Sequence, residues 1–341
     1  MTAAPAADEH ANGKRKREVQ ADPADQLARP GITSQPSPLS PATERSVTGF
    51  GLGALCGLMV ALVWAGWAVA TRFAVTTNLG PADVTFLRFG VSSLLLWPVL
   101  IRQRASIRRI GAAKLLVMLT GAGVPFMFIS STGMRFAPAS HVATLMIGVM
   151  PLFVAILSAV LFGERFTRVQ VVGMGVVLVG VVTIGGESIL LNRSGGEWRG
   201  DLLFLFAGLL FASYTLAQRR SGLTSWQATA LVNVGSCVIF TPIYLVWLRP
   251  QIFTAPTGAV LVQAAAQGVG VAILGLFFYA ESARRLGATR AAIFGALVPA
   301  LAALIGIPVL REMPTFATSI GIALVMIGVL LVVRGVGIKK K

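Results

Sequence analysis

Charge is what this chain has least of. Only 12% of its 341 residues are charged, about half the fraction of a soluble globular domain, and acids are the scarcer sign, 13 against 29 Lys and Arg. Such a chain cannot cover its surface with groups that water solvates. Histidine and cysteine occur twice each. His10 lies in a polar tail, and Cys56 and Cys237 stand apart inside apolar stretches, where each reads as a small buried hydrophobe. No metal-ligand cluster, Gly-x-Ser-x-Gly elbow or phosphate-binding loop is present, so neither catalytic residues, a metal nor a cofactor is expected.

What fills the chain is apolar: 55% hydrophobic residues and a mean hydropathy of +0.78. A bilayer core takes about 20 helical residues to cross. Runs of that kind occur near 51–71, 83–101, 113–134, 139–162, 168–187, 201–218, 225–247, 258–281, 288–310 and 315–334. The spacing therefore predicts ten transmembrane helices. The net charge of +16 does not point to nucleic acid, because the bases sit between apolar runs rather than on a soluble patch.

Sorting those bases by loop orients the chain. Twenty-two of the 29 fall in the N-terminal tail, in alternate loops (102–114, Arg165 and Arg168, Arg219 and Arg220, 284–290) and at the C-terminus. Positive residues collect on the cytoplasmic side, so both termini are expected inside, most simply in a bacterial inner membrane. Residues 1–46, rich in Pro, Ala and Ser, read as a disordered cytoplasmic tail. Its cluster Lys14 to Arg17 suits either anionic lipid or plain solvent. About fifty residues precede the first apolar run, so that run reads as a retained helix and not as a cleavable signal.

One pattern is written twice. Pro151, Glu164, Thr167, Gly173 and Gly180 recur as Pro299, Glu312, Thr315, Gly321 and Gly328, each pair 148 residues apart. Gly53, Trp64, Ala65, Trp67 and Arg72 meet Gly200, Phe211, Ala212, Tyr214 and Arg219 at an interval of 147. Five spans per copy is an odd number, so the second copy enters from the opposite face. The expected fold is an all-α integral membrane protein, with inverted repeats over 51–187 and 201–334, an external linker at 188–200 and a basic cytoplasmic tail at 335–341. Duplicated bundles around a shared midplane site are the architecture of secondary transporters.

The residues that could form such a site are polar or aromatic where lipid-grade sequence expects neither. Arg88 lies more than a turn inside the second span, where a charge costs about 2.5 to 3.5 kcal/mol. It is either the cationic contact for a substrate carboxylate or phosphate, or a structural Arg held by backbone carbonyls. Thr85 and Ser92 share its helix face. Further stripes carry Asn233 on the seventh span and Gln263 with Gln267 on the eighth, as cavity lining or as interhelical hydrogen bonds. Trp64 with Trp67, and Phe211 with Tyr214, are a duplicated aromatic face suited to stacking, or to packing alone. Pro151 and Pro299 should kink the fourth and ninth spans. Glu164 and Glu312 close the hairpins at opposite mouths, as gates or as passive caps of the next helix, where Thr167 and Gln170 spell a capping box. Glu281 has Arg284 and Arg285 as helix neighbours.

These residues resemble the EamA-type ten-helix transporters of the drug/metabolite transporter superfamily, over about residues 50 to 335. The likeness is carried by Leu62-Val63-Trp64-Ala65, by Phe86-Leu87-Arg88, and by Pro151, Phe162-Gly163-Glu164, Gly173 and Gly180 with their second-copy counterparts. It implies a central cavity lined by spans one to four and six to nine, with five and ten outside. It also implies export of amino acids or other small metabolites, with a proton or counter-substrate as the coupling species and membrane lipid as the surroundings. Phe211 and Tyr214 depart from the family's second-copy tryptophan. A sugar or nucleotide-sugar carrier of a sister family is the alternative, and a non-transporting membrane enzyme or receptor a more distant one.

Overall fold

The computed structural model describes residues 41–102, 110–190, 196–248 and 250–338. The expected tail up to residue 40, the basic loop at 103–109, the centre of the expected linker at 191–195 and the last three lysines lie outside them. Residues Arg45–Lys341 form one compact unit. Ten of its helices are long and apolar enough to cross a bilayer: α1 (Phe50–Thr77), α2 (Pro81–Arg102), α3 (Ala112–Gly133), α4 (Ala139–Phe162), α5 (Arg168–Leu190), α6 (Glu197–Arg219), α7 (Ser225–Trp247), α8 (Thr257–Leu286), α9 (Ile293–Leu310) and α10 (Phe316–Arg334). No strand occurs among the described residues. The outer surface is apolar: Leu94, Val160, Leu190 and Phe316 are 76% to 83% exposed, which suits lipid and not water.

Local chemistry sets several helix starts. The Thr167 side chain accepts from the Gln170 N–H while Gln170 Oε1 accepts from the Thr167 N–H, the reciprocal box that opens α5. Thr224 and Gln227 do the same for α7, and Thr315 caps Thr318 N at the start of α10. The first span differs from its expected end at residue 71. The helix begins at Pro41 and continues past Arg72 to Thr77, because the guanidinium is paired within the protein and does not require the chain to leave the membrane there.

Successive helices alternate in direction, so the α4–α5 turn with Glu164 and the α9–α10 turn with Glu312 lie on opposite faces, here the Glu164 face and the Glu312 face. The packing reports the inversion. Helices α2 and α7, α4 and α9, and α5 and α10 pack against their own counterparts. The α3–α6 and α4–α6 contacts are mirrored by Gly53 of α1 on Leu286 of α8 and Gly57 of α1 on Phe294 of α9. That is the contact pattern of two copies related by a twofold in the membrane plane.

The repeated glycines find their reason at α5–α10. A Cβ on Gly173 would lie 2.8 Å from the Gly328 carbonyl oxygen, and one on Gly328 2.7 Å from that of Gly173. Gly180 and Gly321 face each other in the same reciprocal way. Small residues let two membrane helices approach to backbone contact where no hydrophobic drive exists between them.

Candidate substrate cavity

Midway through the bundle a cavity of about 100 Å³ is walled by Trp64 and Trp67 of α1, Phe126 of α3, Met146, Ile147 and Met150 of α4, Phe211 of α6 and Val271 of α8, with Arg88 of α2 the charged residue among its lining. The Nε and Nη1 groups of Arg88 are buried and meet no hydrogen-bond acceptor among the described residues. Two guanidinium donors left unmet in an apolar setting forfeit hydration without return. Phe211 extends the aromatic wall, its ring 5.1 Å from Phe126 and 5.3 Å from Tyr214.

The α1 wall is held from α8. Trp67 donates its indole N–H to Gln267 Oε1 at 2.9 Å, Gln267 Nε2 donates to Thr71 Oγ1 at 2.7 Å, and Gln263 Nε2 donates to the Ala70 carbonyl at 2.7 Å. Residues Ala265–Gly275 of α8 wind as a π-helix. The wider turn keeps Gln267 and Val271, four apart, on the side toward α1, a local irregularity often found at functional sites. Gln267 therefore stands behind Trp67, not on the cavity surface.

The structure brings Trp64, Trp67, Arg88 and Phe211 to the cavity surface, and places the other expected contacts off it. The Thr85 hydroxyl donates to the Pro81 carbonyl of its own helix at 2.7 Å. Asn233 belongs to the α2–α7 interface, where Ser92 Oγ donates to its Oδ1 at 2.7 Å, Ser93 Oγ donates to its carbonyl at 2.9 Å, and its Nδ2 donates to Thr229 O. Tyr214 lies behind Phe211, against Gly121 of α3. Polar stripes on lipid-grade helices mark an inward face, but here interhelical bonds use most of them.

Both prolines stand where a helix breaks. Helix α4 turns at Val149 after a π-helical stretch, Ala143–Gly148, and Pro151 sits in the first turn of the segment that follows. Helix α9 breaks at Ala296 and Leu297, with Pro299 at the same place in its second segment. The first turn of a segment needs no proline N–H.

The two hairpin acids differ. Glu312 Oε1 accepts from Arg72 Nε at 2.7 Å, and its Oε2 accepts from the Ala139 backbone N–H at 3.0 Å. Arg72 Nη1 also donates to the Met134 carbonyl. One acid thus ties α1, the start of α4 and the α9–α10 turn together at the Glu312 face. The helix end it caps is that of α4, not of the adjacent α10. Its counterpart Glu164 is exposed and forms no ion pair among the described residues, and neither does Arg219, the counterpart of Arg72.

The family profile of the EamA-like transporters matches this chain twice, over residues 51–186 and 198–334. The chain belongs to the EamA-like transporter family. Two transporters of Archaeoglobus fulgidus, each described as uncharacterized, are 26% identical over 262 and 276 residues, covering 75% and 79% of this chain and 90% and 93% of theirs. The uncharacterized transporter YyaM of Bacillus subtilis is 24% identical over 262 residues, 73% of this chain and 83% of its own. A solved crystal structure shares the fold, with a TM-score of 0.57 at 21% identity, over 82% of this chain and 96% of that one.

In this EamA-like transporter a second polar cluster lies near the Glu312 face, and sequence reasoning passed over it. His141 of α4 and Asp201 of α6 are 4% and 3% exposed, with His141 Nδ1 2.8 Å from Asp201 Oδ1. Ser188 Oγ donates to Asp201 Oδ2 at 2.6 Å. Asp83 is also buried, accepting from Tyr244 OH at 2.5 Å and from the backbone N–H groups of Gln251 and Gly80. From the sequence, Glu281 at the end of the eighth span reads as the acid nearest a membrane-embedded position. It is instead bound by Arg284 and Arg285 near the end of α8, while Asp83 and Asp201 are the buried ones. The available signal was an acid at the very start of an apolar run, at Asp201 and again at Asp83.

Proposed function

We propose that this transporter moves a small organic metabolite of amino-acid size outward by alternating access through the central cavity. The observation that carries the reading is Arg88, a guanidinium with two buried donors unmet among the described residues, beside an aromatic-walled space. A carboxylate satisfies such a fork with charge-assisted hydrogen bonds, and the faces of Trp64 and Phe211 suit an apolar body or an ammonium group. The modest volume and apolar walls count against a nucleotide sugar, whose diphosphate and hydroxyls would call for several cations and acceptors.

The inverted repeats supply two end states of comparable energy. Arg72 and Glu312 tie one mouth while Arg219 and Glu164 stand apart at the other. On the orientation that the positive residues favour, the tied mouth is external, which suits a state that loads from the cytoplasm. That is the state from which an exporter begins its cycle.

Metabolite profiling of medium from cells with and without the protein identifies the solute, and flux into inverted vesicles measures it. Arg88→Leu should lower that flux at least tenfold, with membrane levels within about twofold of the parent, and Arg88→Lys should recover only part of it because a point charge lacks the planar fork. Full flux in Arg88→Leu, or no solute whose export follows the protein, would sink the proposal.

A further inference from the structure

We propose that His141 and Asp201 form a proton-binding site, loaded from the Glu312 face, whose occupancy is coupled to the central cavity through α4. This rests on the reading of the chain as a secondary transporter and adds the ion that drives it. The inference starts from the hydrogen-bond bookkeeping around a buried imidazole, which must have partners for both ring nitrogens. Nδ1 faces Asp201 Oδ1 at 2.8 Å and Nε2 faces Thr318 Oγ1 at 3.3 Å. Thr318 Oγ1 is in turn 3.2 Å from Glu187 Oε2, and Thr315 Oγ1 is 2.6 Å from the same oxygen.

Those distances accommodate two protonation states without stranding a group. With the ring doubly protonated, Nδ1–H donates to Asp201, Nε2–H donates to Thr318 Oγ1, and the Thr318 hydroxyl hydrogen points to Glu187. When the Nε2 proton leaves to water, the Thr318 hydroxyl turns to donate to Nε2, and Glu187 keeps the Thr315 hydroxyl. One proton is bound or released, no other covalent bond is made or broken, and the pair changes between neutral and singly negative.

The charged groups around the ring come from every neighbouring element: Glu187 of α5, Asp201 and Glu197 of α6, and Glu312 of the α9–α10 turn, the last already neutralised by Arg72 of α1. A cavity of about 110 Å³ reaches the ring from this face, lined by His141, Glu187, Glu312 and Thr318 among others, so water can deliver the proton. Two residues beyond His141, α4 enters its π-helical stretch Ala143–Gly148, and Met146, Ile147 and Met150 of that helix form one wall of the central cavity. A change in the grip of α6 and α10 on His141 therefore acts on the substrate site through one irregular helix, the part of α4 least able to resist a shift.

The chain has only two histidines, so a His10→Ala variant labelled with 15N-histidine in lipid nanodiscs reports on His141 alone. The ring's nitrogen signatures, followed between pH 5 and 9, should change between the two-proton and the one-proton form, and Asp201→Asn should alter that response. In a Met150→Cys variant lacking Cys56 and Cys237, the rate of maleimide labelling should change severalfold across the same pH range and become flat when His141→Gln is added. Thr318→Val should leave the ring titrating but reduce the labelling response. A ring held in one state throughout, or a labelling response that survives His141→Gln, overturns the proposal. Both readouts are taken without substrate, so they can fail while solute export persists, and they can succeed if the exported solute proves to be of another class.

Discussion

At the scale of single residues, a polar side chain in this membrane interior is either consumed by a neighbour or left facing a space, and the difference decides its role. Thr85, Asn233 and Gln267 are consumed, by a carbonyl of the same helix, by α2 and by Trp67. Arg88 keeps two donors unmet. Sequence periodicity set all four on inward faces but could not separate them, because Asn233 and Gln267 find partners on other helices, Thr85 finds one on its own, and two donors of Arg88 find none among the described residues. Backbone strain is also a residue-scale matter. Gly163 ends α4 with φ +66°, and Arg311, its counterpart in the second copy, ends α9 with φ +56°. A side chain in that left-handed region costs about 1–2 kcal/mol, part of which glycine loses again through chain entropy. Arg311→Gly should therefore stabilise the protein by about 0.5–1 kcal/mol, and Gly163→Ala should destabilise it by about 1 kcal/mol, read as opposite shifts of the thermal midpoint in detergent. A lower midpoint for Arg311→Gly would mean that the arginine side chain makes a contact worth more than the strain.

Helices in lipid associate by fit, and the fit here is written in small residues and broken turns. The glycines spaced seven apart on α5 and on α10 could be read from the sequence as a repeat, but their purpose could not. Each copy's glycine contacts the other copy's, across an interval of more than 140 residues that no local pattern reveals. A Cβ on Gly321 would lie 2.4 Å from Ile184 Cγ1 and 3.0 Å from the Gly180 carbonyl oxygen. Gly321→Val should cost about 1–3 kcal/mol as overpacking. Adding Gly173→Val should cost less than a second independent insertion, because the first has already parted the helices. Equal, additive losses measured by thermal denaturation would show that the two contacts are separate. The prolines of α4 and α9 were legible as interruptions, whereas the π-helical stretches that precede Pro151 and surround Gln267 had no signature in composition.

For the whole molecule, inversion places the hairpin acid and its arginine twice, once at each face, and the proposed alternating access requires the two appearances to differ at any moment. The Arg72–Glu312 pair is formed and its counterpart, Arg219 with Glu164, is not. Glu312→Gln should weaken the tie at its own face, because Arg72 loses its charged partner, and raise the reactivity of a cavity cysteine such as Met150→Cys toward reagents added from that side. Glu164→Gln should leave that reactivity low. Impermeant reagents applied from each side of oriented vesicles measure both. Equal changes in the two variants would reduce both acids to caps of their neighbouring helices, worth about 0.5–2 kcal/mol each.

Ten spans, the duplication, the inversion and an Arg inside the second span all follow from the sequence alone, because they are carried by hydropathy, by spacing and by an odd number of crossings, which are properties of the chain taken in order. The tertiary structure alone decided which partners meet: Glu312 with Arg72 across 240 residues, His141 with Asp201 across 60, and Trp67 with Gln267 across 200. Such pairings depend on how helices rotate about their axes and where each side chain comes to lie in depth. Periodicity gives a helix an inward face, but only packing against the other nine determines what that face meets.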